Sequence, residues 1–209
     1  MNGLLKNFGR FGAAVIILAV VQTIILVWLI NGRVSLLRSH DVVTLKSEPI
    51  DPRDLFRGDY VVLSYGISRL ALDGLPGDKD LKQGDTVYVE ISPKRDTWLA
   101  EGVWRKPPTP ADGNKVIRGR VSQVTKNVPR VRPTPSGKDV EETPCPECEM
   151  ATVAYGIESY FVPEGQGRKL EEERNARALS VDVAIARDGE AAIKGIRLNG
   201  DLLYEEPLF

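Results

Sequence analysis

The chain has 209 residues, 28 Lys and Arg against 29 Asp and Glu, a formal net charge of −1 and 42% hydrophobic residues. That length accommodates one large or two small domains. The near-neutral balance, with basic residues interleaved among acids and no long Lys/Arg block, argues against nucleic acid as a partner.

After a short tail (1–10), residues 11–30, "FGAAVIILAVVQTIILVWLI", carry no charge, and only Gln22 and Thr23 are polar. Twenty residues at about 1.5 Å each span about 30 Å, the thickness of bilayer hydrocarbon. A cleaved signal peptide fits less well, because the apolar run exceeds the usual h-region and no small-x-small site follows in "WLINGRVSLL". The expectation is an uncleaved transmembrane anchor at 11–30 followed by a juxtamembrane segment at 31–40. Lys6 and Arg10 precede the helix while Arg33, Arg38 and Lys46 follow it, so positive charge barely discriminates orientation. The ten-residue tail and Trp28 at the far interface favour a cytoplasmic N-terminus. The expected location is the inner (cytoplasmic) membrane, single-pass, with the C-terminal domain outside the cytoplasm.

Beyond the anchor, alternating segments predict a mainly β fold, a β-rich ectodomain. "DVVTLK" (41–46), "YVVLSYGI" (60–67), "DTVYVEIS" (85–92) and "KVIRGRVSQV" (115–124) read as half-buried strands. So do "ATVAYGIESYF" (151–161), "ALSVDVAI" (178–185) and "AAIKGIRL" (191–198). Asp188-Gly189 predicts a two-residue hairpin turn between the last two. Within 167–177, "GRKLEEERNAR" predicts one short surface helix. Sequence echoes link "LSYGIS" (63–68) with "VAYGIE" (153–158), "VYVEISPKRD" with "LSVDVAIARD", and "VIRGRV" with "AIKGIR". They suggest two related β-units, 41–124 and 151–209, although alternating strands also resemble one another by chance. The polar, proline-rich stretch 125–150 reads as a flexible connection between them.

Two places concentrate chemistry. "CPEC" holds the only cysteines, Cys145 and Cys148. A redox C-x-x-C belongs at a helix N-terminus, and a zinc site needs two more ligands than this pair supplies, with His40 the sole histidine. A local disulfide in an exported domain is the favoured reading. The second place is "DPRDLFRGDYVVLSYGIS" (51–68). Asp51 and Pro52 suit a turn, Asp54 a short cap, and Gly58 a chain reversal, with Arg53 and Arg57 offsetting the acids. Val61, Leu63, Tyr65 and Ile67 then share one strand face. In "FVPEGQG", Glu164 and Gly165 sit in a turn after a strand.

The octapeptide "GDYVVLSY" carries Gly58, Asp59, Tyr60, Leu63 and Tyr65 in the pattern Gly-Asp-Tyr-x-x-Leu-x-Tyr. It resembles the signature of the GDYXXLXY family of bacterial proteins, and "YGIESYFVPEGQGRKLEEER" (155–174) is similar to that family's second recurrent segment. The resemblance implies a membrane-anchored envelope protein associated with polytopic membrane proteins, with no established activity. The bilayer, through 11–30, and a polytopic membrane protein are therefore the expected partners, and no cofactor or metal is called for. The expected function is a non-enzymatic accessory that docks a partner. Its binding candidates are Asp54, Arg57, Gly58, Asp59, Tyr60, Leu63, Tyr65, Tyr160, Glu164 and Gly165, because aromatics and arginine dominate interface energetics. The alternative is a membrane-anchored hydrolase, either a carboxylate pair of Asp59 and Glu164 or a degenerate signal-peptidase-like protein. In the second case Ile50 stands where the nucleophilic serine belongs, and Ser47 is the nearest earlier serine.

Overall fold

A computed structural model of the chain describes residues 2–39, 41–48, 60–95, 97–133, 140–161 and 179–206. In chain order these form the helix α1 (Asn2–Leu37), β1 (Val42–Glu48), β2 (Tyr60–Val62), β3 (Ser64–Tyr65), a 3₁₀ turn (Gly66–Ser68), β4 (Arg69–Ala71) and β5 (Thr86–Lys94). There follow β6 (Thr97–Trp104), β7 (Lys115–Lys126), β8 (Arg130–Pro133), β9 (Val140–Thr143), β10 (Glu149–Ala154) and β11 (Ser159–Phe161). The chain closes with β12 (Leu179–Ile185), β13 (Ala191–Leu198) and β14 (Asp201–Glu205). The fold is mainly β, with one long apolar helix at its N-terminal end. The helix expected at 167–177 lies outside the described residues.

Two five-stranded sheets contain most of the strands, in the orders β14-β13-β12-β1-β3 and β4-β10-β7-β5-β6. Their inner faces share one hydrophobic core. Val43 and Leu45 of β1, Val181 and Val183 of β12 and Ile196 of β13 meet Val87, Val89 and Ile91 of β5, Ile117 of β7 and Val153 of β10. The period-two alternation in the sequence reflects this burial on one face. Each sheet takes strands from both sides of 125–150: β1 lies between β12 and β3, and β10 lies between β7 and β4. The stretch 125–150 itself holds the end of β7, the antiparallel ribbon β8-β9 and the start of β10.

The outer faces carry two buried carboxylates at echoed positions, Glu90 and Asp182. Glu90 Oε1 accepts from the backbone N–H of Ala111 (2.9 Å) and from Asn114 Nδ2 (2.7 Å), which pins the 105–114 loop over β5. Asp182 accepts from Thr44 Oγ1 (2.7 Å) and Arg197 Nε (2.7 Å), tying β1, β12 and β13 together. A buried charge is tolerated only with partners of this kind. The echo does not extend to pairing register, since Val87 stands opposite Gly119 while Asp182 stands opposite Gly195.

The hairpin between β12 and β13 corrects the two-residue expectation. Ala186 N–H donates to Glu190 O (2.8 Å) and Gly189 N–H to Ala186 O (2.9 Å), leaving Arg187, Asp188 and Gly189 in a three-residue loop. Only Gly189 takes a positive φ, of 86°, the left-handed position that completes such loops. The two-residue turn with both residues at positive φ is Asn199-Gly200, at 51° and 92°, which joins β13 to β14.

The helix α1 includes a stretch, Gly12–Leu37, long and apolar enough to cross a membrane. Thr23 Oγ1 donates to Ala19 O (2.9 Å), which satisfies that hydroxyl within the helix. The helix does not end in a free linker. Leu36 and Leu37 are buried against Ala184 of β12 and Ala192 of β13, with Ala186 alongside. Small alanines let the helix approach the sheet, and each buried leucine contributes about 1.5–3 kcal/mol. Ser39 Oγ donates to Ile185 O (2.8 Å) and accepts from Asp41 N–H (3.2 Å), while Ile185 N–H donates to Asp41 O (2.9 Å). Helix and sheet are thereby continuous.

Close packing at β7 generates a test. A Cβ on Gly119 would lie 2.4 Å from Val153 Cγ1 and 2.8 Å from Tyr155 Cδ1. Gly119→Ala should therefore destabilise the domain by about 1–3 kcal/mol, the usual cost of overpacking. Urea unfolding measures this, and an unchanged midpoint would contradict the packing described.

Candidate functional site

The signature strand is broken where its sequence looks continuous. β2 pairs with β11 in a separate ribbon, with Val61 opposite Tyr160, while β3 joins the first sheet beside β1, with Tyr65 opposite Ser47. Between them Leu63 N–H donates to Glu158 O (2.7 Å). The second recurrent segment breaks in the same way, between β10 and β11, at Tyr155–Glu158. Both breaks bring the Tyr and Ile of a Tyr-Gly-Ile triplet into the interior, and the two triplets hold each other. Tyr65 Oη donates to Ile157 O (2.8 Å), and Tyr155 Oη donates to Ile67 O (2.6 Å). Glu158 fixes the second triplet by accepting from the N–H groups of Tyr155 (2.5 Å) and Gly156 (2.9 Å).

Leu63 and Tyr65 are each 1% exposed, so their side chains lie in the core. They face the core because alternation from Leu63 to Ile67 turns those side chains inward. Tyr160 is also buried, its ring meeting Tyr204 of β14 edge-on at 5.6 Å between centroids. Tyr60 opens β2. Asp54, Arg57, Gly58, Asp59, Glu164 and Gly165 lie outside the described residues, as does the proposed Asp59–Glu164 pair. Ser47 is buried in β1, and its hydroxyl makes no hydrogen bond among the described residues.

Tyr155 and Glu158, which complete the clasp, were not among the sequence candidates. The signal that pointed to them was the echo of "YGI" in the two halves. Burial pushes the phenols of Tyr65 and Tyr155 well above their ordinary range, and the negative charge of Glu158 adds to this. Tyr160 shifts the same way, first through burial and then through Tyr204.

Clefts open on the surface of the described residues. One, of about 820 Å³, lies between the 72–83 loop and the ends of β7 and β10, with Lys82, Gln123 and Glu147 in its wall. Its charges are largely engaged: Lys79 Nζ donates to the carbonyls of Leu72 and Leu75, and Lys126 pairs with Glu149 (3.0 Å). Arg105 anchors the same loop on Asp80 (2.7 Å) and Asp85 (3.1 Å). The hydrogen bond from Arg105 holds the Asp80 carboxyl below its usual range, and the backbone N–H of Lys82 does so first for Asp85. Cys145 and Cys148, beside this cleft, are bonded to each other across a tight turn with Cα atoms 5.3 Å apart. The disulfide removes both thiols as zinc ligands. A second cleft, of about 690 Å³, lies where α1 meets the β12-β13 hairpin.

A long apolar helix whose end packs on a two-sheet β-domain, with paired Tyr-Gly-Ile segments at the domain's centre, defines a class of helix-tethered β proteins. The family model described as GDYXXLXY protein matches residues 22–196, and the chain belongs to the GDYXXLXY family. No curated protein and no solved structure matches it.

The clasp predicts a defined pH response. In the unfolded chain both phenols ionise near pH 10, about their ordinary value, whereas the folded state keeps them protonated. Above that pH the folded state binds more protons, so the stabilisation, complete below about pH 10, is lost as pH rises past it. Tyr65→Phe and Tyr155→Phe should each cost about 1–3 kcal/mol near neutrality, because each leaves a buried carbonyl unpaired. The double variant should lose less stability than the wild type between neutral and alkaline pH. Urea midpoints at stepped pH test both, and parallel slopes for wild type and double variant would refute the assignment.

Proposed function

We propose that the chain is a single-pass protein of the cytoplasmic membrane whose β-domain, outside the cytoplasm, acts without catalysis by docking a membrane-embedded partner. The observation that carries this reading is β14. All five of its residues are exposed, including Leu202, Leu203 and Tyr204. It stands at the edge of its sheet among the described strands, beside the β13 that meets the helix. An apolar edge strand presents unpaired backbone groups that invite another strand, and soluble proteins usually blunt such edges. β14 runs antiparallel to β13, from Asp201 opposite Leu198 to Glu205 opposite Gly195, and so returns towards the helix-bearing end. Leu202, opposite Arg197, lies five residues along β13 from Ala192, about 17 Å at strand rise. That short reach from the anchor favours a partner in the same membrane, and a polytopic protein is the kind the family resemblance implies. The Cys145–Cys148 disulfide supports the outer location, since such bonds persist in oxidising compartments.

Two measurements test the reading. A photo-crosslinking residue at Leu203 should yield an adduct with an integral membrane protein in cells, and Leu202→Asp should abolish it. The same probe at Leu99, an exposed leucine of β6 on the other sheet, should yield none. Adducts at both positions or at neither would overturn the docking role. A membrane-impermeant maleimide should label Cys145 and Cys148 in intact cells only after mild reduction. Labelling confined to lysed cells would put the domain inside.

A further inference from the structure

The cleft at the foot of the domain joins two elements that the sequence separates widely. Gly32, Ser35 and Arg38 of the last turns of the helix form one wall, and Ala186, Arg187 and Glu190 of the β12-β13 hairpin form the other. Its depth follows from the anchor. The uncharged run ends at residue 30, so Gly32 stands about 3 Å and Leu36 about 9 Å beyond it along the helix axis. The headgroup layer of one leaflet is about 5–8 Å thick. A cleft lined from Gly32 upward therefore opens at the level of lipid phosphates.

Its charges are arranged unequally. The acids in the wall are already held by cations outside it: Asp41 by Lys115, Asp188 by Arg118 (3.0 Å) and Glu190 by Arg118 (3.5 Å). Arg187, at the tip of the hairpin, is exposed and has no ion-pair partner among the described residues. Arg38 lines the same wall. An arginine fork suits a phosphate through two parallel charge-assisted hydrogen bonds.

We propose that the cleft between the end of α1 and the β12-β13 hairpin binds the phosphate of an anionic phospholipid of the surrounding leaflet, with Arg187 as its principal ligand. This rests on the membrane-anchored reading above and adds a lipid site to it. The bound headgroup fills the gap between helix and hairpin and ties the hairpin to the membrane surface.

The test uses the full chain reconstituted in vesicles of phosphatidylcholine with a minority of phosphatidylglycerol. Extraction with alkali first establishes whether the protein is embedded; release from the vesicles would overturn both readings together. For embedded protein, the lipid retained after mild detergent extraction is measured by native mass spectrometry. The expected result is selective retention of phosphatidylglycerol, reduced about tenfold by Arg187→Gln, the order of one lost charge-assisted hydrogen bond. Arg33→Gln, which changes a helix residue outside the cleft wall, should leave retention unchanged. Equal losses for the two variants, or none for Arg187→Gln, would overturn the site while leaving the anchor intact. Retention of inorganic phosphate as strong as that of the lipid would overturn the lipid assignment.

Discussion

The two buried phenols hold the architecture in place. A tyrosine hydroxyl removed from water must find a partner, and Tyr65 and Tyr155 each find the other segment's carbonyl. Because each segment supplies both a donor and an acceptor, neither break can be repaired alone. A straightened β2-β3 strand would withdraw the Ile67 carbonyl from Tyr155, and a straightened β10-β11 strand would withdraw the Ile157 carbonyl from Tyr65. The break at Leu63 lets the chain leave the β2-β11 ribbon and enter the first sheet, while the break at Tyr155 lets it leave the second sheet and enter the ribbon. The clasp therefore sits where three sheets exchange strands. Gly119, which no larger residue can replace without meeting the Tyr155 ring, belongs to the same constraint.

The signature acquires a physical meaning from this arrangement. Leu63 and Tyr65 are core residues, so the part of the motif they carry specifies folding rather than contact with a ligand. Three exposed apolar residues lie together on β14, where Tyr204 touches Tyr160 of the second recurrent segment. One aromatic pair thus joins the two regions, with the buried partner on the motif ribbon and the exposed partner on the sheet edge.

Strands whose apolar residues alternate were legible in the sequence: Val87, Val89 and Ile91 alternate with Tyr88, Glu90 and Ser92 in step with the pleat. Elements whose apolar residues do not alternate were not. β6, "TWLAEGVW", is half-buried along much of its length, and β14 is exposed throughout. The Asn199-Gly200 turn was a readable signal for β14 that the strand's own pattern did not reinforce. The division of β2 from β3 is invisible locally, since its cause is the Glu158 carbonyl, supplied by the distant second segment. The helix junction was equally hidden: Ala184 and Ala192 look like ordinary strand residues until Leu36 and Leu37 are placed on them. The placement of Arg187 depends on the same tertiary contact.

That junction makes the molecule a lever. Leu36 and Leu37 seated on β12 and β13, and Ser39 bonded to Ile185, couple the end of the helix to the first sheet. Membrane helices adapt to bilayer thickness by tilting, commonly by about 20°. In a domain of about 35 Å across, a rigid tilt of that size displaces the far edge by about 12 Å. If the helix spans the bilayer as proposed, bilayer thickness would be converted into lateral position of the β-domain, and a partner held at β14 would in turn set the inclination of the helix.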